Sequence, residues 1–347
     1  MPKIRVLIID DSALVRRILS DALAGHSEIE VVGTASDPYI AKDRINALKP
    51  DVLTLDVEMP RMHGLTFLRI LMEKRPLPVV MISSLTEEGA DVTLQALELG
   101  AVDFITKPKL DLKEGLESLR AELIEKIKGA ARCRPRALKP SDKAAPTATV
   151  ATPARLGRTT QQILAVGAST GGTEAISELL RALPADSPGV VIVQHMPERF
   201  TRAFAQRLDG ICAVSVSEAV DGERVISGKA LIAPGNHHML LIREGAEYRV
   251  RIEQTPPINR HRPSVDVLFD SVASAAGKNA VGVILTGMGD DGARGLLKMK
   301  EAGAHTIAQD RDSCVVFGMP REAIALGGAT EVLALDKISE AALRRFA

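Results

Sequence analysis

The sequence has no tryptophan, two tyrosines and seven phenylalanines, so aromatic residues make up only 3% of its 347 positions. That scarcity argues against a nucleobase-stacking platform. It also leaves the cores to Val, Ile, Leu, Ala and Met. Cysteine is scarce as well. Cys133, Cys212 and Cys314 are odd in number and widely spaced, with no Cys-x-x-Cys. This argues against a disulfide framework or a cysteine zinc site and points to a reducing compartment. Cys314 reads as a small buried hydrophobe rather than a nucleophile. Net charge is zero, with 44 basic and 44 acidic residues, which supplies no global grip on nucleic acid or an anionic membrane. No apolar run reaches the ~18–20 residues that span a bilayer. The opening Met-Pro-Lys-Ile-Arg lacks the layout of a signal peptide. The expectation is a soluble, cytoplasmic protein that does not insert into membranes.

What is present divides the chain in two. A length of 347 residues suggests about two domains. From residue 1 to about 128, apolar runs (Ile4 to Ile9, Glu30 to Gly33, Val52 to Leu55, Val79 to Ile82, Ala101 to Ile105) alternate with helical patterns such as Ser12 to Ala24. Such alternation predicts a parallel sheet covered by helices. Residues 129–160 hold four prolines, many alanines and a basic excess with no apolar periodicity, and read as a flexible linker. From 161 to 347 apolar runs recur at Ile163 to Val166, Val190 to Val193, Ala230 to Ala233, Ala280 to Leu285 and Thr306 to Ala308. His238 to Ile242 and Tyr248 to Ile252, joined through Glu244-Gly245-Ala246, read as a β-hairpin. The class is α/β twice over.

In parallel sheets, functional polar residues collect at the carboxyl ends of strands. In the first segment that rule selects Asp10 and Asp11, Asp56, Ser83 and Lys107. Three carboxylates at one edge repel each other unless a divalent cation sits among them, and oxygen ligands favour Mg2+. A carboxylate there can accept a phosphoryl group, with Lys107 and the Ser83 hydroxyl holding its oxygens. Simple helix capping by Asp10 or Asp11 is the plainer alternative.

In the second segment the run Leu164 to Val166 ends in the Gly-x-Ser-x-Gly turn of Gly167 to Gly171. Such a turn can lift a serine hydroxyl from the end of a sheet, or can cradle a phosphate. Gln194-His195 follow the next buried run, and Thr286-Gly287-Met288-Gly289-Asp290-Asp291 follow a later one. A serine, a histidine and an acid thus end three strands, the set a nucleophilic hydroxyl needs. Strand-end geometry favours His195 over His261. His305 begins a strand and sits at the wrong edge, and His237-His238 open the hairpin, where a surface role is expected. Spacing does not choose between Asp290 and Asp291. Backbone amides near Thr170-Gly171 and Met288-Gly289 are candidates for an oxyanion hole, or these are turns that need positive φ.

Residues 1–128 resemble a response-regulator receiver domain, a flavodoxin-like doubly wound sheet. The resemblance implies Asp56 as phospho-acceptor. It puts Asp10, Asp11 and Asp56 with the backbone of Glu58 around Mg2+, and makes Ser83 and Lys107 the switch hydroxyl and lysine. Phe104 stands at the switch aromatic position, although a core phenylalanine would read the same. Residues 161–347 resemble the catalytic domain of the CheB chemotaxis methylesterases, a Rossmann-like α/β domain. The resemblance rests on Gly167-Ala-Ser-Thr-Gly-Gly172, Gln194-His-Met-Pro197, Ala233-Pro-Gly235, Arg260-His-Arg-Pro-Ser-Val-Asp266, Thr286-Gly-Met-Gly289 with Asp291-Gly292, and Phe317-Gly-Met-Pro320. It implies Ser169 as nucleophile, His195 as base, Asp291 as orienting acid and Met288 as an oxyanion donor beside Thr170. It further implies a phosphorylation-activated hydrolase, with no cofactor for the hydrolase step, acting on glutamate methyl esters and glutamines of chemotaxis receptors. A histidine kinase would be the phosphodonor. The rival is a response regulator whose second domain binds a nucleotide or a protein, because Gly167-x-Ser-x-x-Gly172 keeps part of a dinucleotide fingerprint. Its middle glycine is replaced by Ser169. A DNA-binding output is disfavoured because no basic recognition helix is present.

Overall fold

The computed structural model describes residues 2–84, 86–107, 113–133 and 162–346. The chain divides into two compact units, Met1–Ala145 and Pro146–Ala347. Most of the connector expected at 129–160 lies outside the described residues. Its first part is helical, because the last helix of the first unit continues to Arg132.

The first unit is built from β1 (Ile4–Ile9), α1 (Ala13–Leu23), β2 (Ile29–Ala35), α2 (Pro38–Leu48), β3 (Val52–Asp56), α3 (Gly64–Lys74), β4 (Val79–Ser83), α4 (Glu87–Glu98), β5 (Asp103–Thr106) and α5 (Lys113–Arg132). Its five strands are ordered β2-β1-β3-β4-β5, all parallel. This is the doubly wound order whose switch point falls between β1 and β3. Both β3 and β4 are buried along their whole length, as expected of strands covered on two faces. Asp10 follows β1 and Asp56 ends β3, so the switch point brings the two carboxylates together.

The second unit begins with β6 (Ile163–Ala168), α6 (Gly172–Arg181), β7 (Gly189–Gln194), α7 (Phe200–Asp209), β8 (Ser215–Glu218), β9 (Arg224–Val225) and β10 (Lys229–Ile232). It continues with β11 (His238–Glu244), β12 (Glu247–Glu253), α8 (Val265–Ala275), β13 (Ala280–Ile284), α9 (Ala293–Glu301), β14 (His305–Gln309), α10 (Met319–Ala325), β15 (Glu331–Leu333) and α11 (Leu335–Leu343). Seven strands form a parallel sheet in the order β15-β14-β13-β6-β7-β10-β8. The expected hairpin is β11–β12, extended by β9 into a separate three-stranded antiparallel sheet. Strands β8, β9 and β15 have no counterpart in the sequence reading. They are two to four residues long, too short for a hydrophobic period to mark them.

The chain enters the large sheet at β6 and steps one way to β7. It returns on the other side of β6 at β13. The switch point therefore lies at β6, between the strands that carry His195 and Asp291. Helices α6, α7 and α11 pack together, and α8, α9 and α10 form a second layer. One core of Val, Leu, Ile, Ala, Met and Phe runs from the sheet through α8 into β11 and β12, with Phe269 at its centre and fully buried. No helix among the described residues is long and apolar enough to cross a membrane.

Candidate functional site

In the first unit Asp10, Asp11 and Asp56 bring one carboxylate oxygen each within 4.8 Å of one another. Asp10 and Asp56 are buried and Asp11 is exposed. Capping does not occupy them. The N-cap of α1 is Ser12, whose side chain accepts from the Val15 amide. One oxygen of Asp10 accepts from the Ser12 amide at 2.8 Å, but its Oδ2 is buried without a hydrogen-bond partner. Burial pushes the Asp10 carboxyl above its ordinary range. Burial likewise raises Asp56 to about 6 against the pull of the Lys107 ammonium, with Asp10 adding to the rise. An orphaned buried oxygen among crowded carboxylates is the donor set that a divalent cation completes.

Lys107 reaches Asp56 Oδ2 at 2.8 Å, and the exposed Glu58 gives its amide to Asp56 Oδ1 at 3.4 Å. Ser83 ends β4 but is engaged elsewhere. Its hydroxyl accepts from Thr93 Oγ1 at 2.6 Å and lies 3.2 Å from the Gly89 carbonyl. Phe104 is buried, with the Lys126 ammonium 5.0 Å from its ring centroid. Thr93 and Lys126 were not found from sequence, because a helical threonine and lysine carry no signal of their own.

In the second unit β6 delivers Ser169, β7 delivers His195 and β13 leads to Asp291. The Ser169 amide donates to the Thr286 carbonyl at 3.0 Å, which fixes the serine turn to the end of β13. The turn is built on close approach. A Cβ on Gly172 would meet Gln194 Oε1 at 2.1 Å, and one on Gly287 would lie 2.8 Å from Ser169 Cβ. Gly171, at φ +76°, caps α6 in the left-handed region. The Gln194 side chain donates to the Ser169 carbonyl at 2.9 Å.

His195 Nε2 meets Asp291 Oδ2 at 2.8 Å. His195 Nδ1 is buried and has no hydrogen-bond partner. The free nitrogen of the ring is therefore Nδ1, the reverse of the ring orientation in the chymotrypsin-type triad. His261, the competitor from sequence, lies flat on the His195 ring, with centroids 3.7 Å apart and planes 9° apart. This stacking holds His261 against the imidazole face.

Of the two neighbouring acids, Asp291 is the buried one, 1% exposed, whereas Asp290 is exposed. Asp290 uses its backbone carbonyl to receive the Ala293 amide at the start of α9. Asp291 Oδ1 accepts from Ser264 Oγ at 2.8 Å, Asn259 Nδ2 at 2.8 Å and the Asp266 amide at 3.3 Å. Its Oδ2 takes the Val265 amide at 2.7 Å as well as His195. Ser264 is the N-cap of α8, so the carboxylate sits on the positive end of that helix. Burial works to raise its pKa, but the bonds from His195, Asn259 and Ser264 outweigh it and hold the carboxyl far below the carboxylate range. Asp266 feels the same burial and is raised, opposed by the Gly295 amide. Asn259 bridges the two acids, its Nδ2 also lying 2.8 Å from Asp266 Oδ2. It does so from the left-handed region, at φ +51° beside Arg260 at +69°. Asparagine tolerates that region best among residues with a side chain.

Two further expectations meet the structure here. Thr170 is buried, with its carbonyl bound by Thr286 Oγ1 at 3.0 Å, and Met288 is half-buried. The Gly287 carbonyl beside Met288 accepts from Gly318 and Met319, which pins one side of that loop. The surface role expected of His238 is corrected. The residue is fully buried, because both ring nitrogens are satisfied: Nε2 lies 3.1 Å from the Pro256 carbonyl and Nδ1 accepts the Ser264 amide at 3.2 Å. Arg262 is half-buried and bound to Asn236 Oδ1 and the Thr255 carbonyl. The sequence reading gave Asn259 no role, held Ser264 only as part of a motif and put His238 at the surface, since their bonds to the acid and to one another run mostly across 26 to 32 residues.

Comparison with known proteins follows this division. A family model described as CheB methylesterase matches residues 164–342, and one described as response regulator receiver domain matches residues 6–120. The protein-glutamate methylesterase/protein-glutamine glutaminase of Salmonella typhimurium is 58% identical over 345 residues, 99% of this chain and 97% of its own. The protein of the same name from Bordetella parapertussis is 59% identical over 346 residues, covering 99% and 98%. The crystal structure of the Thermotoga maritima CheB methylesterase catalytic domain is similar at a TM-score of 0.52 and 40% identity, over 53% of this chain and 97% of that domain.

Proposed function

This chain belongs to the CheB methylesterase family, with a response regulator receiver domain ahead of the methylesterase segment, and we propose that it is a phosphorylation-activated protein-glutamate methylesterase and protein-glutamine glutaminase. The observation that carries the proposal is the 2.8 Å bond from His195 Nε2 to an Asp291 gripped by the start of α8, one strand away from the Ser169 turn. A buried, strongly anionic carboxylate stabilises an imidazolium, and the free Nδ1 is the nitrogen that takes a proton.

Ser169 Oγ attacks the side-chain carbonyl of a glutamate methyl ester while His195 Nδ1 accepts the hydroxyl proton. The oxyanion is met by backbone amides at Thr170 and Met288. Collapse breaks the carbon–methoxy bond, and His195 returns the proton to the leaving oxygen, so methanol departs. Water, deprotonated by the same nitrogen, attacks the acyl-enzyme and frees glutamate and Ser169. With glutamine the leaving group is ammonia. The substrates are methyl-accepting chemotaxis receptors, reached from the cytoplasm.

In the receiver, Asp56 accepts the phosphoryl group from the histidine kinase of the same system. Asp10, Asp11, Asp56 and the backbone of Glu58 would hold Mg2+, which neutralises charge at the incoming group. Lys107 and the Ser83 hydroxyl engage its oxygens, and Phe104 reports the change. The non-catalytic alternative finds no favour, since Ser169 replaces the middle glycine of the fingerprint and the near-full-length relatives are named as methylesterase/glutaminase enzymes. Release of methanol from methylated receptor tests the reading. Ser169→Ala is expected to lose it, by about 10⁴-fold or more; retention of activity would remove Ser169 from the mechanism.

A further inference from the structure

The hairpin β11–β12 has no part in the chemistry described so far, yet its first residue lies one bond away from the acid. His238 opens β11 and is fully buried. Its two nitrogens have unlike partners. The Ser264 amide donates to Nδ1 at 3.2 Å, so Nδ1 carries a lone pair. Nε2 faces the Pro256 carbonyl at 3.1 Å, so Nε2 carries the proton. Only one neutral tautomer satisfies both. The amide that Nδ1 receives belongs to the N-cap of α8. The same residue gives its hydroxyl to Asp291 Oδ1 at 2.8 Å, and the next amide goes to Asp291 Oδ2 at 2.7 Å. Charged groups bearing on the ring are Glu253, opposite it across the hairpin, Arg262 and Asp291.

We infer that His238 is a positioning residue for Asp291: by holding the Ser264 amide it fixes the first turn of α8 as a cradle for the acid, and so couples the hairpin to the orientation of His195. The inference rests on the hydrolase reading above. Its physical basis is that a helix N-terminus places three donors on one carboxylate only if its first turn does not shift. Nothing on α8 itself receives the Ser264 N–H, since the first amides of a helix lack intrahelical acceptors. A buried amide without an acceptor is costly, and relaxing it would move the donors. Displacement of catalytic geometry by about 1 Å can cost on the order of 100-fold in rate.

The test compares His238→Leu, which keeps the volume but has no acceptor, with His238→Asn, whose Oδ1 stands near Nδ1. In full-length protein, H238L is expected to lower kcat about 10- to 100-fold at nearly unchanged KM, and H238N to restore much of it. With 15N-histidine labelling, the ring N–H of His195 bonded to Asp291 should move upfield in H238L and stay in place in H238N. A folded H238L with wild-type kcat and an unmoved His195 resonance would overturn the inference. If H238L does not fold, His238→Asn and His238→Gln decide the matter. Asn presents its acceptor to Ser264, whereas Gln reaches Pro256, so a higher kcat for H238Q than for H238N also overturns it. Absence of methanol release from the wild-type protein would bring down the hydrolase reading, and the resonance would then decide the positioning role by itself.

Discussion

At the scale of single residues, Asp291 concentrates the electrostatics of the site. Five donors converge on two oxygens in a place with almost no solvent. Removing its charge while keeping its shape leaves His195 with no partner for a cation. Asp291→Asn is therefore expected to cut kcat by about 10³–10⁴-fold, with a smaller change in KM, measured by methanol release. The same bonds couple folding to pH. The folded carboxyl titrates below its unfolded value of about 3.9. Unfolded chains thus bind the proton first as pH falls, and the stability Asp291 contributes is full well above its unfolded pKa and lost progressively as pH falls toward its far lower folded value. Urea midpoints of wild type and D291N, taken from about pH 6 to pH 3, should draw closer toward the acid end; a constant gap would contradict the depressed carboxyl. Spacing showed the acid pair but not the choice within it, which only the family resemblance made. Asp290 and Asp291 differ only in what surrounds them, and those neighbours lie 25 to 96 residues away. The use of Nδ1 as the free nitrogen was equally invisible, because nothing in composition records the rotation of a ring.

At the scale of elements, the alternation of apolar runs with helical patterns made both parallel sheets and the hairpin legible, and strand ends pointed to Ser169, His195, Asp56 and Lys107. Very short strands such as β15 were not legible, since three residues are too few to show a period and their register comes from neighbours. Glycines carry the close approach between elements. Gly287 sits where β13 passes the serine turn. An added Cβ there would lie 2.2 Å from Met319 Sδ and 2.8 Å from Ser169 Cβ. Gly287→Ala is expected to destabilise by about 1–3 kcal/mol through overpacking. It should also displace Ser169 and lower kcat by at least about tenfold. Adding Met319→Ala removes the sulfur clash but not the one with Ser169. Thermal melting should therefore recover in part in the double variant while kcat stays low. Recovery of both would show that the crowding against Ser169 is without consequence.

At the scale of the whole molecule, two chemistries occupy separate folding units, and their needs differ. The receiver unit holds three carboxylates within 4.8 Å of one another, an arrangement that calls for a divalent cation before a phosphoryl group can approach. In the other unit, the proposed mechanism draws nucleophile, base and orienting acid from the side chains of Ser169, His195 and Asp291. A chelator should therefore remove the rise in methanol release produced by a small phosphodonor and leave the basal rate nearly unchanged. Asp56→Asn should reproduce that loss with Mg2+ present, because the acceptor oxygen is gone while the unit keeps its fold. Replacing Ser169 should abolish both rates and leave phosphorylation of Asp56 intact, read by incorporation of labelled phosphate. On the proposed reading, control runs from Asp56 to Ser169, and the hydroxyl of Ser83 is the first place to look for it. That hydroxyl is held by Thr93 on α4 at 2.6 Å, so a phosphoryl group at Asp56 competes with α4 for it. Thr93→Val, which keeps the shape and drops the hydroxyl, should free Ser83 and raise the basal rate toward the stimulated one without phosphodonor. An unchanged ratio of basal to stimulated release in T93V would place the switch elsewhere in the receiver.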